Sequence, residues 1–189
     1  MKENVNTDDD KRKSISKQLI SLISQGHELT SITIKELTGI ENISRSSFYN
    51  YFSDVYDLLN WIYYNELLVW FDEFLKNEMH REGFKLLYKK IYSNKNFYLN
   101  IFKFNREFAI DIYFKNYFYE VFYSYPSKKI NPNGLKECEL TRQFYANSMS
   151  YVLTLWLESG CTISIEEILE FSIYTRHTTL HQMIKRQKQ

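Results

Sequence analysis

The chain has 189 residues, 44% of them hydrophobic and 25% charged, with a formal net charge of +1. This composition suits a soluble globular protein with a sizeable core, and it excludes a global basic field, so any affinity for nucleic acid must come from local placement of charge. The N-terminal MKENVNTDDDKRK lacks the apolar core of a secretion signal, and the best membrane-span candidate, WIYYNELLVWF, is broken by Asn65 and Glu66, so a cytoplasmic protein with no membrane partner is expected.

Residues 1–10, with Asp8, Asp9 and Asp10, read as a flexible solvated arm leading to Lys11, Arg12 and Lys13. Ile15, Leu19, Ile20, Leu22 and Ile23 then recur at helical spacing, and Gly26 is a plausible stop. Thr33 and Glu36 form a capping box, with Ile32 and Leu37 placed as a hydrophobic staple. The same grammar repeats at Ser44, flanked by Ile43 and Phe48, so the first of these two helices must be short. Asn42 tolerates a left-handed conformation and suits the turn between them. Asp54 reads as a third N-cap, with Asp57 in the first turn. From Val55 a helical pattern runs to about Met79. Further helices are expected over 84–92, 97–104, 108–123, 137–159 and 164–186, the last opened by Ser164 and Glu167 as a capping box. SYPSKKINPNG holds both prolines and is the clearest loop. No alternating strand pattern of useful length occurs, and five glycines and two prolines argue against a sandwich or barrel. The expected fold is all-α: an N-terminal three-helix head over 11–53 and a helical bundle over 54–189.

Two helices joined by a tight turn within about twenty residues have helix-turn-helix geometry, in which the second helix enters the DNA major groove. Arg45 is placed to contact guanine or phosphate, and Ser46 and Ser47 are small enough to permit close approach. Ser44 caps the helix, whose first backbone N–H groups face a phosphate. Tyr49 and Tyr51 carry hydroxyls toward the DNA backbone, while Phe48 and Phe52 fall on the inward side. Thr33, Lys35 and Asn50 complete the expected DNA-facing set.

The stretch ITIKELTGIENISRSSFYNYFSDVYDLL resembles the DNA-binding head of the tetracycline-repressor (TetR) family of transcription regulators. Ile32, Thr33, Glu36, Leu37, Ile43, Ser44, Arg45, Ser47, Phe48, Tyr49 and Phe52 match the family pattern in order, over about fifty residues. The tail FYANSMSYVLTLWLESGCTISIEEILE is similar, more weakly, to the subgroup that includes dihydroxyacetone-kinase operon regulators, where W-L-x-x-G ends the penultimate helix. Departures are Glu41 and Asn42 in the turn, and Ser53 and Val55 where lysines commonly contact phosphate. Residues 11–60 hold six basic and five acidic groups, so the head is barely cationic. Modest, salt-sensitive affinity per subunit is therefore expected, which makes a dimer necessary.

One head covers a half-site, and two must sit ~34–36 Å apart. The resemblance implies that the last two helices pair with their mates in a four-helix bundle. Tyr145, Met149, Val152 and Trp156 form one candidate stripe, and Ile168, Phe171, Tyr174 and Thr178 another. The aromatic middle of the chain (Trp61, Tyr64, Phe102, Phe108, Tyr113 and Tyr117), together with Trp156, serves equally as plain core or as the lining of an apolar effector pocket. His177 and His181 share a helix face without an evident third metal ligand, and Cys138 and Cys161 lack CxxC spacing. No nucleophile–base pair or Gly-rich phosphate loop occurs, so neither an enzyme nor a cofactor is expected. The expected function is a homodimeric regulator that reads double-stranded DNA. The alternative is a TetR-like dimer acting through protein partners.

Overall fold

A computed structural model of the chain describes residues 3–39, 43–77, 79–124 and 135–177. These residues form α1 (Glu3–Ser24), a 3-10 turn (Leu29–Ser31), α2 (Ile34–Thr38), α3 (Arg45–Tyr51) and α4 (Val55–Tyr63). A π-helical stretch (Tyr64–Leu68) leads into α5 (Val69–Lys76), followed by α6 (His80–Ser93), α7 (Lys95–Phe104), a 3-10 turn (Arg106–Phe108), α8 (Ile110–Ser124), α9 (Leu135–Glu158) and α10 (Ile165–His177). No strand occurs among the described residues, as the all-α reading requires. Among them, too, no helix is long and apolar enough to cross a membrane.

The helix starts follow their capping residues. Thr33 Oγ1 accepts from the Glu36 N–H at 3.3 Å, and a Glu36 carboxylate oxygen accepts from the Thr33 N–H at 2.7 Å. Ser44 Oγ accepts from the Ser47 N–H at 3.0 Å, and Asp54 Oδ1 from the Asp57 N–H at 2.8 Å. The Ser164–Glu167 box opens α10 with bonds of 3.2 and 3.0 Å. Each side chain satisfies a donor that the helix itself leaves orphaned. Gly26 does end the first helix: it adopts φ +98°, while the His27 N–H reaches the Leu22 carbonyl and the Gly26 N–H that of Ile23.

Two expectations need adjustment, and others fall on residues that the structure does not describe. The stretch expected as an arm is helical from Glu3 onward, because Asp9 and Lys13 pair across one turn at 2.6 Å and Asp8 gains a partner in α3. The long helix from Val55 ends at Lys76 and widens at Tyr64–Leu68, where the Asn65 side chain donates to the Trp61 carbonyl at 2.9 Å. The expected turn residue Asn42, residues 125–134 of the loop, and Thr178 and His181 of the last helix lie outside the described residues.

By packing, the chain divides into two compact units, Met1–Ile110 and Asp111–Gln189. In the first, Ile15, Leu19 and Ile23 of α1 join Phe48, Leu58, Ile62, Phe97 and Ile101 in one buried core, with α1 against α7 and α5 against α6. Gly83 permits the last contact, since a Cβ there would lie 2.9 Å from Phe74 Cβ. In the second unit, the buried Asp111 accepts from Thr154 Oγ1 at 2.6 Å, and its backbone carbonyl from Ser150 Oγ at 2.7 Å, tying α8 to α9. Leu153, Trp156, Leu157, Ile168 and Leu169 form the core between α9 and α10.

Candidate nucleic-acid interface

Only seven residues long, α3 buries Phe48 completely and, just beyond its end, Phe52, whose ring meets Trp61 edge-on at 5.9 Å. That inward anchor turns the polar positions outward. Arg45 and Tyr49, one turn apart, lie side by side, with the guanidinium carbon 5.8 Å from the ring centroid and Nη2 3.5 Å from the hydroxyl. Ser46 and Asn50 are exposed, and Ser47 Oγ lies 2.9 Å from Ser44 Oγ.

The start of α2, the outer face of α3 and the start of α4 converge on a groove of about 400 Å³. Thr33, Arg45 and Tyr49 from the expected set line it, as do Ser53 and Val55, named in the sequence only as replacing phosphate-contacting lysines, and Thr30 and Tyr56, which sequence reasoning left out. Ser53 has a local signal, since it directly precedes the Asp54 cap; nothing local marks Tyr56, whose ring stacks on Phe108 at 4.4 Å. Among the described residues lining the groove, Arg45 brings positive charge and Asp54 negative. Lys35 is exposed on α2. Tyr51 faces α1 instead: its hydroxyl donates to Asp8 at 2.7 Å, and Arg12 lies over its ring at 5.4 Å. The bond to Asp8, helped by partial burial, raises the Tyr51 pKa above the usual phenol value.

The other candidates are dispersed. Trp61 packs on Phe52, Phe102 lies beneath Arg106 at 4.5 Å, Phe108 stacks on Tyr56, and Tyr64 is exposed. Tyr113 and Tyr117 lie one turn apart on α8, with Tyr117 stacked on Phe114. Trp156 is fully buried, and its indole N–H donates to the Ile163 carbonyl at 2.8 Å. In the supposed dimer stripes, Tyr145 and Phe171 are exposed, while Met149 and Val152 are half-buried. Tyr174 lies on α10. Among the described side chains of α9, the most exposed apolar residues are Leu140, Phe144 and Tyr151, at 66%, 66% and 60%, and none of these belongs to the predicted stripe. Their spacing of four and then seven residues puts all three on one face of the helix. The described residues contain no cluster of three or more metal-ligating side chains.

Among known families, residues 78–175 match a model described as a transcriptional regulator C-terminal region, TetR_C_8, which covers just over half of the chain. No curated protein matches it.

Proposed function

Because the chain belongs to the TetR family of transcriptional regulators, we propose that it binds double-stranded DNA as a homodimer, reading a pseudo-palindromic operator with the head formed by residues 11–53. The supporting observation is the groove where Thr33, Arg45 and Tyr49 meet, beside the exposed Ser46 and Asn50 of α3. Arg45 supplies a bidentate donor for guanine or phosphate, and its guanidinium lies against Tyr49 one turn along the exposed face of α3. Residues 54–189 carry dimerisation and effector binding in this reading. Leu140, Phe144 and Tyr145 on α9 and Phe171 on α10 offer apolar surface to a second copy.

An apolar effector acts by favouring one head spacing over another, a coupling commonly worth 1–3 kcal/mol. The weaker likeness to dihydroxyacetone-kinase operon regulators is carried by the whole tail FYANSMSYVLTLWLESGCTISIEEILE, in whose WLESG turn Gly160 takes φ +67° and the Trp156 indole N–H donates to the Ile163 carbonyl. One observation favours the alternative, a dimer working through protein partners: Ser53, Asp54 and Val55 line the groove where lysines would strengthen phosphate binding.

The test is titration of the protein onto its own upstream intergenic DNA at low and moderate salt, beside the double variant Arg45→Ala/Tyr49→Ala. Tight, sequence-selective binding that the variant loses supports the DNA-reading head. Equal binding by the variant, or no sequence preference, leaves the partner-binding dimer as the better reading.

A further inference from the structure

Two asparagines at the end of α7 reach back to the connection between α1 and α2. Asn100 Nδ2 donates to the Ile23 carbonyl at 2.7 Å, in the last turn of α1, 77 residues earlier in sequence. Asn105 Oδ1 accepts from the Leu29 N–H at 3.1 Å, 76 residues earlier. Leu29 opens the 3-10 turn before α2, and the residue placed to cap that turn, Glu28, makes no capping bond. Asn105 thus supplies from α7 the acceptor that local sequence fails to supply. Both partners are buried, Asn105 at 5% and Leu29 at 2% exposure, so water cannot replace the bond at little cost.

Asn105 is itself held. Its N–H bonds to the Ile101 carbonyl at 2.8 Å, and the Phe108 N–H bonds to the Asn105 carbonyl at 2.9 Å. The turn that follows is pinned to α4 twice, by Tyr63 Oη donating to the Phe108 carbonyl at 2.8 Å and by the stacking of Phe108 on Tyr56. The capped Leu29 turn leads directly to Thr30 and Thr33, which line the groove with Arg45.

We propose that Asn100 and Asn105 are positioning residues that fix the α1–α2 connection, and with it the DNA-facing end of α2, so that α7 governs how the head meets DNA. This regulation rests on the DNA-binding reading above. Any change that shifts α7 loosens both caps together, because both arise within its last turn and a half.

The experiment compares wild type with Asn105→Leu, Asn100→Leu and Asn105→Asp, the last retaining the acceptor. Amide exchange is measured over residues 29–38 and, as a control, over α6. Affinity is measured on duplexes, selected with the wild type, whose half-site spacing varies in single base pairs. Asn105→Leu is expected to speed exchange over 29–38 about tenfold and leave α6 unchanged, with Asn105→Asp restoring protection. The leucine variants are expected to lose about tenfold on the best wild-type spacing and to shift the preferred spacing. Unchanged exchange over 29–38, or an equal loss on every spacing, overturns the proposal. Should Asn105→Leu fail to fold, Asn100→Leu and Asn105→Asp decide by the same readouts. A wild-type chain that binds no duplex sinks the DNA-binding reading alone, and the exchange measurement still decides whether the asparagines hold the turn.

Discussion

Glu36 occupies an exposed position on a five-residue helix, yet its carboxylate accepts from both the Thr33 hydroxyl and the Thr33 N–H at 2.7 Å. These bonds hold its pKa below the usual carboxylate range, and Ser164 does the same for Glu167. A carboxylate depressed in the folded state stabilises fully above its unfolded pKa, roughly 4.3, and that stabilisation is lost as pH falls through the lower folded value. The starts of α2 and α10 are therefore expected to hold at neutral pH and to loosen only in acid. Glu36→Gln is expected to flatten the acid limb of stability against pH, measured by denaturant unfolding at stepped pH. Removing the α3 cap by Ser44→Ala is expected to cost about 0.5–2 kcal/mol in the same measurement. Thr154→Val removes a donor from the buried carboxylate of Asp111 and is expected to cost about 1–3 kcal/mol, with Thr154→Ser close to wild type. The caps at Thr33, Ser44, Asp54 and Ser164 were legible in the sequence because each donor lies three residues from its acceptor. The caps from Asn100 and Asn105 were not, because nothing local distinguishes them from surface asparagines. Tyr51 shows the same limit: its place on α3 was readable, but its partner Asp8 required the chain from Glu3 onward to be helical.

At the scale of elements, helix existence and order were readable from apolar periodicity, and the family match over 78–175 agrees with the TetR resemblance at the level of the family. The π-helical widening at Tyr64–Leu68 was not readable, since it alters hydrogen-bond register without altering which residues are apolar. The dimer stripe was only partly readable. Many apolar residues line α9, and periodicity alone cannot tell the side that Trp156 buries within the unit from the side where Leu140, Phe144 and Tyr151 remain exposed. The close approach of α6 to α5 makes a sharper prediction. Gly83→Ala gains about 1 kcal/mol of helix propensity. However, its methyl would meet Phe74 Cβ at 2.9 Å and the Phe71 ring at 3.4 Å. Overpacking of this kind costs about 1–3 kcal/mol, so a net loss of stability is expected, visible as a lower Tm.

For the whole molecule, a net charge of +1 leaves little electrostatic attraction to spare, so the proposed DNA binding requires two weak half-site contacts to be joined. Leu140→Glu/Phe144→Glu is expected to yield a folded monomer by sedimentation, with operator binding lost. An unchanged dimer would remove α9 from the interface. Arg45→Ala is expected to reduce the slope of log K against log salt by about 1 if Arg45 contacts phosphate. The bond from Asn105 to Leu29 also imposes an order in time. Helices α1, α2 and α3 emerge first from the ribosome, and the starts of α2 and α3 carry caps of their own. Leu29 must wait until synthesis has travelled 76 residues further before its partner exists. At about 5–20 residues per second that is a delay of roughly 4–15 s, during which the nascent connection between α1 and α2 lacks the acceptor that later fixes it.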